Sequence, residues 1–137
     1  MLKAVIDTSV FISGTISRNG SPRRIIQAMS DVLFIAVASE ETIEEFTDVS
    51  QRPEFNNIIN PTESIALIAA LNRHALIVRP VLIEKPISAD PDDDIFLKIA
   101  VTARANFVVS LDAHLLNLKS FRNIPIIRPN VFLEKLT

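Results

Sequence analysis

The chain has 137 residues, of which 48% are hydrophobic, with a formal net charge of −2 and no cysteine. That length suits one domain with a real core and excludes a disordered chain. The missing thiols exclude disulfides and thiolate metal sites, and the charge balance does not advertise a polyanion-binding surface.

Lys3-Ala4-Val5-Ile6 is a short apolar run with β-branched members and predicts a buried strand. Asp7-Thr8-Ser9 stops it, and Val10-Phe11-Ile12 follows. Asp7 also interrupts any signal-like apolar start, and the longest apolar runs, residues 32–38 and 65–71, are too short to span a membrane. A cytoplasmic protein is expected. An acid at the carboxyl end of a central strand stands where open α/β sheets bind ligands. The hydroxyls of Thr8 and Ser9 beside it favour a site over a simple turn.

Arg18-Asn19-Gly20-Ser21-Pro22-Arg23-Arg24 is the most basic segment. Gly20 marks a turn, and Ser21 then Pro22 predict an N-cap and first position for a helix to about residue 29. Arg18, Arg23 and Arg24 either face solvent or bind phosphates. Residues 33–38 predict a second strand. Ser39 caps a helix through residue 49, on which Ile43, Phe46 and Val49 form the apolar stripe. At roughly 100° per residue, Glu45 falls beside Val49 at the stripe's edge, whereas Glu41, Glu44 and Asp48 point further into solvent. Glu40 borders the other edge, in the first turn, where the helix dipole accounts for it. Glu45 is therefore the acid of this helix best placed to reach a partly buried site.

Residues 54–59 predict a short helical turn. Asn60-Pro61-Thr62-Glu63 supplies cap, proline and box acid, in order, for a helix to His74, which reads as a C-terminal cation. Residues 76–78 predict a third strand, after which the chain passes Pro86 to an acidic run. Asp90-Pro91-Asp92-Asp93-Asp94 sets four acids within five positions, directly before the apolar Ile95-Phe96-Leu97-Lys98-Ile99-Ala100. Capping accounts for Asp90 as N-cap, Pro91 as first helical residue and Asp93 as box acid. It does not account for Asp94, which repeats with Leu97, Lys98 and Val101 and opens a partly buried stripe. Crowded carboxylates repel one another near a core unless a cation sits among them.

That helix is expected to reach Arg104. Residues 107–109 predict a buried strand, ended by Ser110-Leu111-Asp112, so the pattern of the first strand recurs: a β-branched run, then Asp with a hydroxyl nearby. His114, two residues on, is either a surface histidine or an assistant to the chemistry. Ile124-Pro125-Ile126-Ile127 predicts a last strand near a sheet edge, because proline cannot donate to the ladder. Residues 131–136 predict a terminal helix.

Strands alternating with helices predict a single α/β domain over residues 1–137, three-layered, with a mainly parallel central sheet and helices on both faces. Asp7, Glu45, Asp94 and Asp112 then gather at one end of the sheet. Four carboxylates without cysteine and with few histidines select hard cations, Mg²⁺ or Mn²⁺.

Together, Asp7-Thr8-Ser9, the acid on the helix after Ser39, Asp94 and Ser110-Leu111-Asp112 resemble the acidic constellation of PIN-domain nucleases, over essentially the whole chain. Asp7-Thr8-Ser9-Val10, then Ser39-Glu40-Glu41, Glu45-Phe46 and Arg52-Pro53, and finally the acidic run before Phe96-Leu97, are most similar to the small VapC-like PIN proteins of toxin–antitoxin pairs. The resemblance implies Mg²⁺- or Mn²⁺-dependent cleavage of RNA, leaving 5′-phosphate and 3′-hydroxyl ends. It implies a homodimer and a cognate antitoxin protein that blocks the site. By position, it implies Asp7, Asp94 and Asp112 as catalytic metal ligands, and Glu45 as a ligand or as the residue that orients water. Thr8, Ser9, Asp93 and Ser110 would support them, and Arg18, Arg23 and Arg24 would contact RNA. Asp93 remains a rival to Asp94, because the helix phase in an acid run is not set by sequence. Ser9 stands where this subgroup often has Asn, and Ser110-Leu111-Asp112 where Thr-Gly-Asp or Thr-x-Asp is more usual.

Two other classes stay in view. A haloacid-dehalogenase-like phosphatase also places Asp after its first strand, but wants a second Asp two positions on, where this chain has Ser9; a receiver domain wants paired acids there. A catalytically silent RNA- or protein-binding module on the same fold differs only in turnover.

Overall fold

β1 (Lys3–Ile6), β2 (Ile35–Ala38), β3 (Leu76–Ile77), β4 (Phe107–Val109), β5 (Ser120–Phe121) and β6 (Ile124–Ile127) form one sheet in the order β3-β2-β1-β4-β6-β5. The computed structural model describes residues 1–83 and 90–137; the passage through Pro86 lies outside the described residues. Every neighbouring pair is parallel except the β5–β6 hairpin. Among the described residues seven α-helices connect or follow these strands: α1 (Thr8–Ile16), α2 (Ser21–Ser30), α3 (Glu40–Ser50), α4 (Pro61–His74), α5 (Asp94–Ala103), α6 (Ala113–Leu116) and α7 (Pro129–Lys135). Among the described residues no helix is long and apolar enough to cross a membrane.

The layers follow from the two-residue period of a strand. Ala4 and Ile6 of β1, Ala36 of β2 and Val109 of β4 point into one buried cluster, with α1, α2, α3, α4 and α7. Val5, Val37 and Val108 point the other way, into a second cluster with α5 and α6. Both faces are covered, so these strands read as unbroken apolar runs rather than as alternating ones. Leu97 and Ile99 of α5 have no exposed surface, and burying each stabilises the fold by roughly 1.5–3 kcal/mol. On the opposite face Phe34 meets Phe132 edge-on, with ring centroids 5.0 Å apart.

The chain leaves β1 for β2 on one side of the sheet and returns through β4 on the other. The order therefore reverses between β1 and β4, and a crevice opens at their carboxyl ends. The loops that start α1, α3, α5 and α6 come to that same end.

Local details depart from the sequence expectations in physically simple ways. Asp7 does more than stop β1: it is the N-cap of α1, in extended backbone with φ −63° and ψ 144°. That helix carries apolar residues all round and shows no helical period. Gly20, with φ 105°, holds the N-cap position before α2, and Ser21 is the first helical residue. Asn60 caps α4 as expected, accepting from the Thr62 N–H at 2.9 Å. Glu63 is not its box acid, because its carboxylate meets Arg23 at 2.7 Å. The helix predicted from residue 91 to residue 104 begins with a 3₁₀ turn, Pro91–Asp93, and becomes α-helical only at Asp94. β6 lies one strand in from the edge. β5 closes the sheet through a two-residue turn at Arg122 and Asn123, both with positive φ (48° and 67°), the backbone that hairpin turns of the primed type require.

α1 and α2 approach closely at Gly14. A methyl there would lie 3.0 Å from the backbone oxygen of Pro22 and 2.5 Å from Cδ1 of Ile26. Ile26 Cδ1 is the end of a flexible side chain packed against the core, whereas the Pro22 contact is backbone, so overpacking outweighs the helix propensity that Ala adds. We expect Gly14→Ala to destabilise the fold by about 1–2 kcal/mol. Thermal denaturation checks this; an unchanged or raised Tm would show that the helices separate freely.

Candidate metal centre

Asp7 is held by the two central strands. Its N–H donates to the Val109 carbonyl at 2.9 Å, the last rung between β1 and β4. Its side chain is 4% exposed. Oδ2 accepts from Ser9 Oγ at 2.8 Å and from Ser110 Oγ at 2.6 Å, while Oδ1 accepts only a longer bond, 3.3 Å, from the Ser9 N–H. Burial pushes the Asp7 carboxyl above the ordinary carboxylate range. The bonds from Ser110 and Ser9 pull it back, and the nearby Asp112 pushes it up again. The hydroxyls that reach Asp7 are thus those of Ser9 and Ser110. Thr8 instead lines a small cavity with Ile6, Phe11 and Thr42.

Ser110 joins the two strand-end acids. It is fully buried, donates to Asp7, and accepts from the Asp112 N–H at 2.9 Å. Asp112 is the N-cap of α6, its Oδ1 accepting from the His114 N–H at 2.7 Å. The His114 ring turns back toward it, with Nδ1 3.8 Å from that oxygen.

Asp93 completes the group. It is 8% exposed, and its Oδ2 is buried with no hydrogen-bond partner. Its carboxyl is pushed up to about 7, chiefly by burial and then by the charges of Asp112, Asp7 and Asp90; His114 pulls it down. The expected box-acid role of Asp93 is therefore not what the structure has. The local cap is Asp90, whose Oδ1 accepts from the Asp92 N–H at 3.0 Å. At the end of the 3₁₀ turn, Asp93 lies near enough to Asp7 and Asp112 to feel both charges. Asp94, the expected ligand, is buried at the first α-helical position of α5. Among the described residues, Asp93 rather than Asp94 joins a group able to hold an ion: one ligand atom each from Asp90, Asp93 and His114 lies within 4.8 Å of the others.

Glu45 lies at the rim. Its side chain is exposed, yet partial burial of the carboxyl raises its pKa, and Asp7, Asp92 and Glu41 push the same way while Arg52 opposes them. Glu40, Glu44 and Asp48 line a separate cavity between α3 and α4, with Ile43, Ile68 and Ile77. The helix phase read from the apolar stripe thus separates Glu45 from Glu44 and Asp48. Of the three arginines, Arg18 and Arg24 are exposed, whereas Arg23 is tied to Glu63 and holds that carboxyl below its usual range. Asp90, Asp92 and Arg52 had no site role in the sequence reading. The repeated acids of the run carried a signal for the first two, and Arg52 was marked only as part of the Arg52-Pro53 pair in the resemblance.

Acidic oxygens, one buried without a partner, backed by hydroxyl donors and lacking sulfur, fit a hard divalent cation. A model of the PIN domain family matches residues 3–114. The chain is also 25% identical, over 119 residues, to an uncharacterized protein of Methanocaldococcus jannaschii, covering 86% of this chain and 76% of that one.

Proposed function

The chain belongs to the PIN-domain family, whose members are in general nucleases, and on that premise we propose that it is a Mg²⁺- or Mn²⁺-dependent endoribonuclease. In this reading it is a cytoplasmic, homodimeric toxin of the VapC-like kind, held in check by a cognate antitoxin. The observation that carries the activity is the Asp93 oxygen, buried without a hydrogen bond among Asp7 and Asp112. A fold keeps such a group when a cation answers it.

Asp7, Asp93 and Asp112 would hold the ion, with Glu45 at the open side. When bound, Mg²⁺ or Mn²⁺ polarises a phosphoryl oxygen and lowers the pKa of a water. Ser9 and Ser110 occupy Oδ2 of Asp7, which leaves Oδ1 the freer donor. Asp93 stands in the place first given to Asp94. Glu45, with its carboxyl pushed up, orients the attacking water and takes its proton. Arg18, Arg24 and Arg52 would meet the phosphates of a single-stranded or looped RNA. Arg18 follows the nine-residue α1, so it stands roughly 13 Å of helix from Asp7. Arg23 stays with Glu63.

Glu45→Gln should lower kcat by about 10²–10⁴-fold, whereas Glu44→Gln, on the far side of α3, should leave it within about twofold. Circular dichroism should show both folded, since neither change removes buried volume. Equal loss in the two variants would refute the assigned face. The test of the function itself is cleavage of an end-labelled RNA pool with Mn²⁺ and with a chelator. Cleavage that needs the metal and leaves 5′-phosphates supports the assignment. No cleavage of any RNA by metal-loaded protein would leave a silent binding module.

A further inference from the structure

We propose that the groove between α3 and α4 docks a basic, amphipathic helical segment of another protein and leaves the metal centre open while it does so. The groove follows α3 on a face that excludes Glu45. A cavity of about 560 Å³ has Ile43, Ile68 and Ile77 along its floor. Ile68 also lines a second cavity, of about 210 Å³, toward the end of α3, where Ile65 is 68% exposed. The wall of the larger cavity is acidic. Its Glu40, Glu44 and Asp48 stand four residues apart, which stacks them along one face at intervals of roughly 6 Å. Like charges at that spacing repel, and the last turn of α3 has no base where the helix dipole favours one. Among the described residues the ion pairs are Arg23 with Glu63 and His114 with Asp112, so none of the three acids is in one. An apolar floor beside unanswered acids fits a helix with an apolar stripe edged by lysines or arginines.

A separate observation points to an occupant. Ser64 of α4 lines the smaller cavity and is 5% exposed, and its Oγ has no hydrogen-bond partner. A buried hydroxyl left unpaired costs stability, which a polar group entering the cavity restores. Groove-to-groove pairing of two copies is disfavoured, because a two-fold contact sets the same patch against itself and acid wall would meet acid wall. The segment therefore comes from a different chain, one that carries the opposite charge. No residue of the groove belongs to the metal centre. Such a partner is distinct from an antitoxin that blocks the site.

The experiment uses the full chain and a pair of synthetic peptides, each about three helical turns long to match α3. Both are stapled between side chains, because an isolated helix that short is marginal in water. Both carry a leucine stripe, with lysines along one edge in the first and along the other edge in the second, so that both orientations in the groove are covered. Fluorescence anisotropy reads Kd. At least one peptide should bind, and its counterpart with glutamate for lysine should bind at least about tenfold more weakly. Glu44→Lys and Ile65→Asp change exposed positions, and each should weaken binding by about tenfold or more. Calorimetry should give the same Mn²⁺ affinity with and without bound peptide. No binding by either peptide overturns the proposal, and so does binding that ignores both substitutions. A peptide that competes with Mn²⁺ has settled on the carboxylates of the metal centre instead, which also overturns it.

Discussion

Asp93→Asn will lower kcat for RNA cleavage by about a thousandfold or more, and the same substitution will make the metal-free protein more stable. The two effects share one cause. In the folded chain the Asp93 carboxyl titrates at about 7, against an ordinary value of 3.8, because it is buried beside Asp112, Asp7 and Asp90. The native state therefore holds that proton to higher pH than the unfolded chain does. The resulting stability is fully present below the ordinary carboxylate range and is lost as pH rises through about 7. An amide removes the charge, so the variant should keep stability that the wild type loses between about pH 4 and pH 7. We expect a gain of a few degrees in Tm at pH 8, with a flatter Tm profile against pH. Asp7, also raised, leaves some slope behind. A residue that merely supported the fold would do the opposite, losing stability and activity together.

Mn²⁺ will stabilise the wild-type protein, and more so as pH rises. The ion binds the deprotonated carboxylates, so loading releases protons and weakens in acid. At a free concentration near one hundred times Kd the gain is about 2.7 kcal/mol, several degrees for a chain of this size. At pH 5, where Asp93 is protonated, the gain should shrink to a small fraction of that. In Asp93→Asn it should be largely absent at every pH. Scanning fluorimetry at pH 5 and pH 8, with and without Mn²⁺, reads all four conditions. A gain independent of pH, or one kept by the variant, would place the ion elsewhere.

What could be read in advance, and what could not, divides along physical lines. β1 and β4 were legible because each is a buried apolar run ended by a polar residue, so Asp7 and Asp112 could be set at strand ends before any coordinates. α3 was legible because Ser39 caps it and Phe46 marks its buried face, which put Glu45 toward Asp7. α1 was hidden: buried on most sides, it carries no period. Sequence left Asp93 and Asp94 as rivals because the acid run opens on a 3₁₀ turn, whose 120° step carries side chains out of phase with an α-helix begun at the same proline. The pairing of Arg23 with Glu63 joins residues 40 positions apart and leaves no local trace. β5 is two residues long, and its turn uses Arg122-Asn123 in place of the usual glycine pair.

The claim that everything else depends on is that Asp7, Asp93 and Asp112 share a divalent cation. The most direct measurement is anomalous diffraction, at the manganese absorption edge, from a crystal of the full chain grown with Mn²⁺ above pH 7. A peak within bonding distance of carboxylate oxygens from all three residues is the predicted result. A map with no peak there, or with its manganese held only by acids such as Glu40, Glu44 and Asp48 on the far side of α3, would contradict it.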